Sequence, residues 1–359
     1  LERRKSKGLV LGWVPVGGGA PITVQSMTNT PTVDVEATLR QVERMFAAGC
    51  DIVRVALPDL ESCRALKKIV RASPIPVVAD VHFDHRIALA AIRAGAHGLR
   101  INPGNIGEER KVREVARAAR EAGVPVRVGA NAGSLPRDLL ERYGGPTPQA
   151  LAESALREVA ILEREGFDLI KVSVKASSVT VTIEANRIIA DKVEYPLHLG
   201  VSEAGPVWSG TIKSAVGIGA LLAQGIGDTI RVSLAGDPVE EVRVGRAILR
   251  SLGLLEEGPD IVACPTCARA RIDVAALAEE LERRLRDSKA PLRIAVMGCS
   301  VNGPGEAREA DIGIAGGRTR GLLFRKGEPV AWYPKEELLE VLLREVESMA
   351  GESRKAGGG

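Results

Sequence analysis

Three cysteines and a glutamate near the C-terminus have the types and spacing to do chemistry: Cys264-Pro265-Thr266-Cys267, then Cys299-Ser300-Val301-Asn302-Gly303-Pro304-Gly305-Glu306. Two thiolates three residues apart on a tight turn can grip one metal centre. Cys299 supplies a third from a Gly- and Pro-rich loop that follows the apolar run Ile294–Met297. A structural zinc site prefers four Cys or His ligands, and no fourth Cys or nearby His is present. Three thiolates suit a [4Fe–4S] cluster with one iron left for a different ligand. Glu306 is the candidate, because the glycines beside it let the backbone approach closely. A zinc knuckle completed by water or a carboxylate fits the same spacing.

These residues need a scaffold. From residue 23 to about 252 short β-rich runs alternate with amphipathic runs. The expected strands are Thr23–Met27, Ile52–Leu57, Val77–His82, Gly98–Asn102, Val126–Ala130, Leu169–Val174, Leu197–Val201 and Ile230–Leu234. Between them, Val112, Val115, Ala116 and Ala119 form one helical stripe, and Leu151, Ala155, Val159 and Leu162 another. Gly49, Gly95, Gly123 and Gly166 stand where helices should stop. Eight such units indicate an α/β protein with a (β/α)8 TIM-type barrel, and no dinucleotide fingerprint follows the first strand. From Gly258 the rhythm changes to a small α+β domain. It holds the CPTC turn, a helix over Asp273–Asp287, a strand reaching Cys299, strands near Ile312–Ala315, Gly321–Arg325 and Val330–Tyr333, and a helix over Lys335–Met349. The expected domains are 1–257 and 258–350, with a disordered tail at 351–359.

Barrel chemistry sits at the C-terminal strand ends. Those ends carry Arg54, Asp80 and His82, Arg100 and Asn102, Arg127 and Asn131, Lys171 and Lys175, Glu203, then Arg231 and Ser233. A strand buried on both faces should be almost wholly aliphatic, so arginine there needs an anionic partner. Any single arginine could meet a neighbouring carboxylate. Four arginines and a lysine against Asp80 and Glu203 leave a positive surplus, which points to a polyanion such as a diphosphate. His82 belongs at the mouth, whereas His198, near the start of its strand, reads as structural and His85 and His97 carry no signal. Glu203, flanked by glycines, either transfers a proton or orients an arginine. Cys50 and Cys63 read as ordinary packed thiols.

Together these strings resemble the bacterial 4-hydroxy-3-methylbut-2-enyl diphosphate synthases of the non-mevalonate isoprenoid pathway. The matching segments are Val24–Thr30, Arg100–Asn105, Val128–Ser134, Lys171–Ser177, Pro196–Gly200, Gly225–Leu234 and both cysteine motifs. The resemblance implies the barrel plus a [4Fe–4S] domain similar to those of sulfite and nitrite reductases, in the short form without the plant-type insertion. It implies reduction of 2-C-methyl-D-erythritol 2,4-cyclodiphosphate to 4-hydroxy-3-methylbut-2-enyl diphosphate with electrons from flavodoxin or ferredoxin. Cys264, Cys267, Cys299 and Glu306 would hold the cluster. Glu203, Glu306, His82 and Asp80 would be catalytic. Arg54, Arg100, Asn102, Arg127, Asn131, Lys175, Arg231 and Ser233 would hold substrate. Removing a hydroxyl needs two electrons and a Lewis acid for the departing oxygen, and an iron held by a displaceable carboxylate offers both. A head-to-tail homodimer sharing its active site is expected, because the last barrel helix should end opposite the mouth.

Two rivals keep part of this pattern: a pterin-binding methyltransferase barrel with a structural metal appendage, and a non-catalytic metal-stabilised interaction module. Composition excludes other classes. The 359 residues are 45% hydrophobic and 26% charged, and the +3 net charge is spread out, so nucleic acid is not the expected partner. Ten aromatic residues are too few for base-stacking platforms. No eighteen-residue apolar run exists to span a membrane, and the basic Leu1–Lys7 lacks a secretory core, though an initial Met is absent. Five cysteines in this length suit reduced thiols in the cytoplasm.

Overall fold

The structure, a computed structural model, describes residues 2–82, 84–102, 109–286, 288–300 and 303–356; for Glu109, Pro304, Glu306 and 352–356 it describes backbone only. It divides into two compact units, Leu1–Leu254 and Leu255–Gly359.

The first unit opens with an antiparallel pair, β1 (Leu9–Leu11) and β2 (Val14–Val16). The strand reading overlooked it. Its alternation is short, but Leu9, Leu11 and Val16 are buried against Ile52 and Val78. Eight parallel strands follow: β3 (Thr23–Met27), β4 (Ile52–Ala56), β5 (Val77–Asp80), β6 (Gly98–Arg100), β7 (Val126–Val128), β8 (Ile170–Val172), β9 (His198–Leu199) and β10 (Thr229–Ile230). Their order is β8-β7-β6-β5-β4-β3-β10-β9, and a parallel bridge from Val172 to Leu197 joins the two ends. This is a (β/α)8 barrel. Strand β3 has the expected bounds, and the other seven end earlier than their apolar runs suggest, because the last residues leave the ladder to form the mouth.

Helices α1 (Val35–Ala47), α2 (Leu60–Ala72), α3 (His85–Arg93), α4 (Glu109–Glu121), α5 (Arg137–Tyr143), α6 (Pro148–Arg164), α7 (Val179–Ala190), α8 (Val207–Leu222) and α9 (Pro238–Ser251) flank them. The stripe Val112, Val115, Ala116 and Ala119 on α4 is buried, as is Leu151, Ala155, Val159 and Leu162 on α6. Helix α6 starts where Thr147 accepts the Ala150 N–H and Pro148 supplies a pre-set φ. The four expected stop glycines all have positive φ.

The second unit is a five-stranded sheet ordered β11 (Asp260–Ala263), β12 (Arg293–Met297), β13 (Ile312–Gly316), β14 (Arg320–Arg325) and β15 (Glu328–Pro334). The first three strands are parallel and the last two antiparallel. Strand β11 was not expected, since it directly precedes the CPTC turn and is only half-buried. Helices α10 (Val274–Arg284), α11 (Gly303–Glu306) and α12 (Leu338–Ala356) complete the unit. Helix α12 runs into the segment expected to be a disordered tail, and 357–359 lie outside the described residues. Among the described residues no helix is long and apolar enough to cross a membrane.

Candidate active site

The strand ends of the barrel open into a cavity of about 970 Å³. Arg54 from β4, Arg100 from β6, Arg127 from β7 and Arg231 beyond β10 line it, with Lys175 beyond β8. Asp80, His82, Asn102, Asn131, Glu203 and Ser233 share the same lining.

Asp80 is the hub of one half. Its carboxylate lies 3.6 Å from Arg54, 3.3 Å from Arg100 and 3.6 Å from His82. Burial opposes its charge, but Arg54, His82 and the other arginines outweigh that and hold Asp80 well below the usual carboxylate range. The His82 ring lies 3.1 Å from the Arg100 guanidinium. Arg54 also donates to the thioether sulfur of Met27 at 2.9 Å, a weak acceptor that leaves bonding capacity for an anion. Burial, despite Asp80, draws Arg54 down to about 10.

The other half is organised by an acid that sequence reasoning missed. Glu241, on α9, is 4% exposed and accepts from Arg231 Nη2 at 3.1 Å, Leu234 N–H at 3.0 Å and Ser26 hydroxyl at 2.8 Å. It sits in a helix first turn among surface-type residues, so nothing in its neighbours distinguishes it. Arg231 also donates to Ser233 at 2.6 Å.

Among the described residues no carboxylate pairs with Arg127 or Lys175. Arg127 is 4% exposed, its Nε lacks a hydrogen-bond partner, and no carboxylate among the described residues lies within ion-pair reach. Burial and the neighbouring cations lower both groups well below their ordinary values. Gly200 makes room for Lys175: a Cβ there would meet the lysine Nζ at 2.7 Å. Glu203 stands exposed at the rim with φ of 51°, a left-handed backbone that costs a non-glycine residue about 1 kcal/mol or more.

Lys171 is not at the mouth. Its side chain is 2% exposed and points into the barrel interior, in a small cavity with Leu11, Gln25 and Arg127. Lys171 is the register partner of Arg127 on β7, and the two line that interior cavity together. Burial, then Arg127 and Arg54, pull it down to about 7. His198 is also interior, 0% exposed and hydrogen-bonded to Thr229, and burial keeps it neutral. Lys171→Met is expected to stabilise the substrate-free protein by about 1–4 kcal/mol near neutral pH. A lysine depressed by folding leaves the unfolded chain binding more protons between about pH 7 and the ordinary 10.5. Wild-type stability therefore rises with pH through that window, and the advantage of the variant shrinks. Urea melts at pH 6.5 and 9 measure this; an advantage independent of pH would mean that Lys171 is not titrating.

In the second unit two loops abut. The Cys264 N–H bonds the Val296 carbonyl at 3.1 Å, and Gly298 N–H donates to Cys264 Sγ at 3.1 Å. This places Cys264 beside the residue that precedes Cys299. Thr266 has φ of 59°, the tight turn that a CxxC pair needs. The Cys299 carbonyl accepts the Gly303 N–H at 3.1 Å and so begins α11, which ends in Glu306. The Glu306 side chain lies outside the described residues. Cys264 and Cys299 are half-buried and Cys267 exposed, while Cys50 and Cys63 are buried in the barrel unit. Among the described residues no three potential ligands converge on one point. The donor chemistry, soft thiols on adjoining loops at one sheet end, fits an iron–sulfur group.

The GcpE TIM-barrel domain family matches residues 6–246, and the GcpE C-terminal domain family matches residues 260–348. The chain belongs to the GcpE family. Relatives named 4-hydroxy-3-methylbut-2-en-1-yl diphosphate synthase (flavodoxin) match almost end to end. That of Geobacter sulfurreducens is 57% identical over 98% of this chain and 99% of its own. That of Caldanaerobacter subterraneus is 56% identical over the same shares. Among solved structures, Yersinia pestis dihydropteroate synthase aligns with a TM-score of 0.49 and 16% identity, over 68% of this chain and 98% of that one, too distant to bear on function. Membership in the GcpE family goes against both the pterin-methyltransferase and the interaction-module readings.

Proposed function

We propose that this protein is a flavodoxin-dependent 4-hydroxy-3-methylbut-2-en-1-yl diphosphate synthase, reducing 2-C-methyl-D-erythritol 2,4-cyclodiphosphate in isoprenoid biosynthesis. The observation that carries this reading is the cationic mouth. Asp80 and Glu241 answer Arg54, Arg100 and Arg231, whereas Arg127 and Lys175 lie buried with no carboxylate in ion-pair reach among the described residues, so that a ligand's negative charge would be what holds theirs. A cyclic diphosphate supplies the missing acceptors.

Arg127 and Lys175 bind the diphosphate from below, and Arg54, Arg100 and Arg231 hold it from the sides. Asp80 and Glu241 aim those side chains. As the ring opens, the freed phosphate oxygen gains negative charge, which the fixed guanidinium groups stabilise without reorganising. Glu203 and His82 stand where a proton can be exchanged with the substrate hydroxyls. Asn102, Asn131 and Ser233 orient the erythritol part. Cys264, Cys267, Cys299 and Glu306 are the residues that would hold a [4Fe–4S] cluster, which supplies electrons and a Lewis acid when bound.

The functional unit in this reading is a head-to-tail homodimer in the reducing cytoplasm, with the barrel of one chain served by the cluster of its partner. Helix α9 runs away from the mouth, and only 252–259 separate its end from β11, a reach of about 30 Å at full extension. An exposed stripe on α8, with Trp208 81% exposed and Ile212 and Val216 beside it, offers apolar surface for the partner.

The test is anaerobic reconstitution with iron and sulfide, followed by the cyclic diphosphate and reduced flavodoxin. Brown, dithionite-bleachable protein and the allylic diphosphate product are expected. Arg127→Ala should weaken substrate binding ten- to hundred-fold, about 1.5–3 kcal/mol for one charge-assisted phosphate contact. Its substrate-free melting temperature should not fall, because no ion pair is lost. Early melting with normal affinity would instead make Arg127 a structural residue.

A further inference from the structure

The five-stranded sheet has two unlike faces. Helices α10 and α12 cover one, over Ile294, Val296, Ile312, Ile314 and Leu323. The other carries Ala295, Met297, Ala315, Leu322 and Phe324, packed with Ala307 and Ala310. Strand register draws a single row across that second face. It starts at Cys264, the residue after Ala263, and passes through Met297, Ala315 and Leu322 to Trp332. Helix α11 begins on this row, since a Cβ on Gly303 would lie 2.7 Å from Met297 and 3.3 Å from Ala315. Strands lie ~4.8 Å apart, so the row spans about 19 Å from the first CxxC cysteine to the outer strand.

The row ends in an indole that is 45% exposed, on an edge strand with Val330 53% exposed nearby. Trp332 rests on the β13–β14 turn, where a Cβ on Gly317 would meet its ring at 2.7 Å. The carbonyl of Gly316, one residue earlier, accepts the Ser300 N–H at 2.8 Å, next to Cys299. The platform under the tryptophan is therefore hydrogen-bonded to the cysteine loop.

Charge accompanies the aromatic. Arg318 and Arg320 stand at the β13–β14 turn beside it, whereas Arg325, at the far end of β14, lies opposite Glu328 and is ion-paired with Glu345. Arg320 donates to the Trp332 carbonyl, and Arg318 is exposed with no acidic partner among the described residues. Pro329 and Pro334 stand within β15, which disfavours pairing with an added strand and leaves side chains to make the contact.

We propose that Trp332, with Arg318 and Arg320 beside it, forms the docking surface for the electron-donating flavodoxin; this rests on the reading that a flavodoxin reduces this protein. The surface suits an acidic flavoprotein that presents its FMN at the carboxyl ends of its strands. An exposed indole is an effective interface anchor, and a cationic rim steers an acidic partner into register.

The experiment uses anaerobically reconstituted full-length protein, oxidised flavodoxin for calorimetric binding, and two donors for turnover: reduced flavodoxin and reduced methyl viologen. Trp332→Ser and Arg318→Glu should each weaken flavodoxin binding about tenfold and raise its KM to match. Wild-type binding should fall with added salt more steeply than that of Arg318→Glu. Turnover driven by viologen should stay within about twofold of wild type. Variants that bind flavodoxin as tightly as wild type overturn the proposal. Loss with both donors and a changed oligomeric state also overturns it, making the face a contact between copies. Wild-type protein that works with viologen but never with flavodoxin removes the donor reading itself.

Discussion

Glu306→Ala is expected to lose about 100-fold or more of turnover while still taking up iron and sulfide. In the proposed reading Cys264, Cys267 and Cys299 would remain to anchor a cluster, whereas the iron they leave over would lose its protein ligand. That iron should become more sensitive to oxygen. Glu306→Cys should behave differently, because a thiolate is a softer and more tightly held ligand than a carboxylate. It should give a more stable cluster and poor turnover. Iron content, visible absorption and product formation, all measured anaerobically, distinguish the cases. Wild-type turnover by Glu306→Ala would show that the carboxylate is not the group substrate displaces. Cys299→Ser is the control, expected to lose the cluster outright.

The second large effect is a recovery. Arg100→Ala and Cys299→Ser chains should each be inactive alone, one without its arginine at the mouth and the other without a cluster ligand. Mixed after subunit exchange, half of the sites in each heterodimer pair an intact barrel with an intact partner cluster. Activity should return to as much as half of wild type per heterodimer. Exchange demonstrated by differently tagged chains, with no activity regained, would place both halves of the site in one chain and end the shared-site reading. In the shared-site reading, closed two-fold symmetry would have each chain contribute both halves.

Periodicity alone made the barrel legible. The stripes on α4 and α6 and the stop glycines follow from helical geometry and backbone sterics, which act locally. Polar residues at the ends of aliphatic runs identified Arg54, Arg100, Arg127, Lys175 and Arg231, since burial of such groups demands a reason that a single chain segment reveals. The cysteine motifs were equally local. Tertiary structure alone decided three further matters. Glu241 enters the mouth because the first turn of α9 packs on β3, where Ser26 donates to it, and no pattern around it announces that. Lys171 lies in the interior rather than at the rim, beside its register partner Arg127, a depth that its apolar run alone does not give. The row from Cys264 to Trp332 exists only through the register of five strands, two of them antiparallel and one bulged between Leu323 and Phe324. Register is set by long-range pairing, and residues nearly seventy positions apart come to share a face only after the sheet has formed.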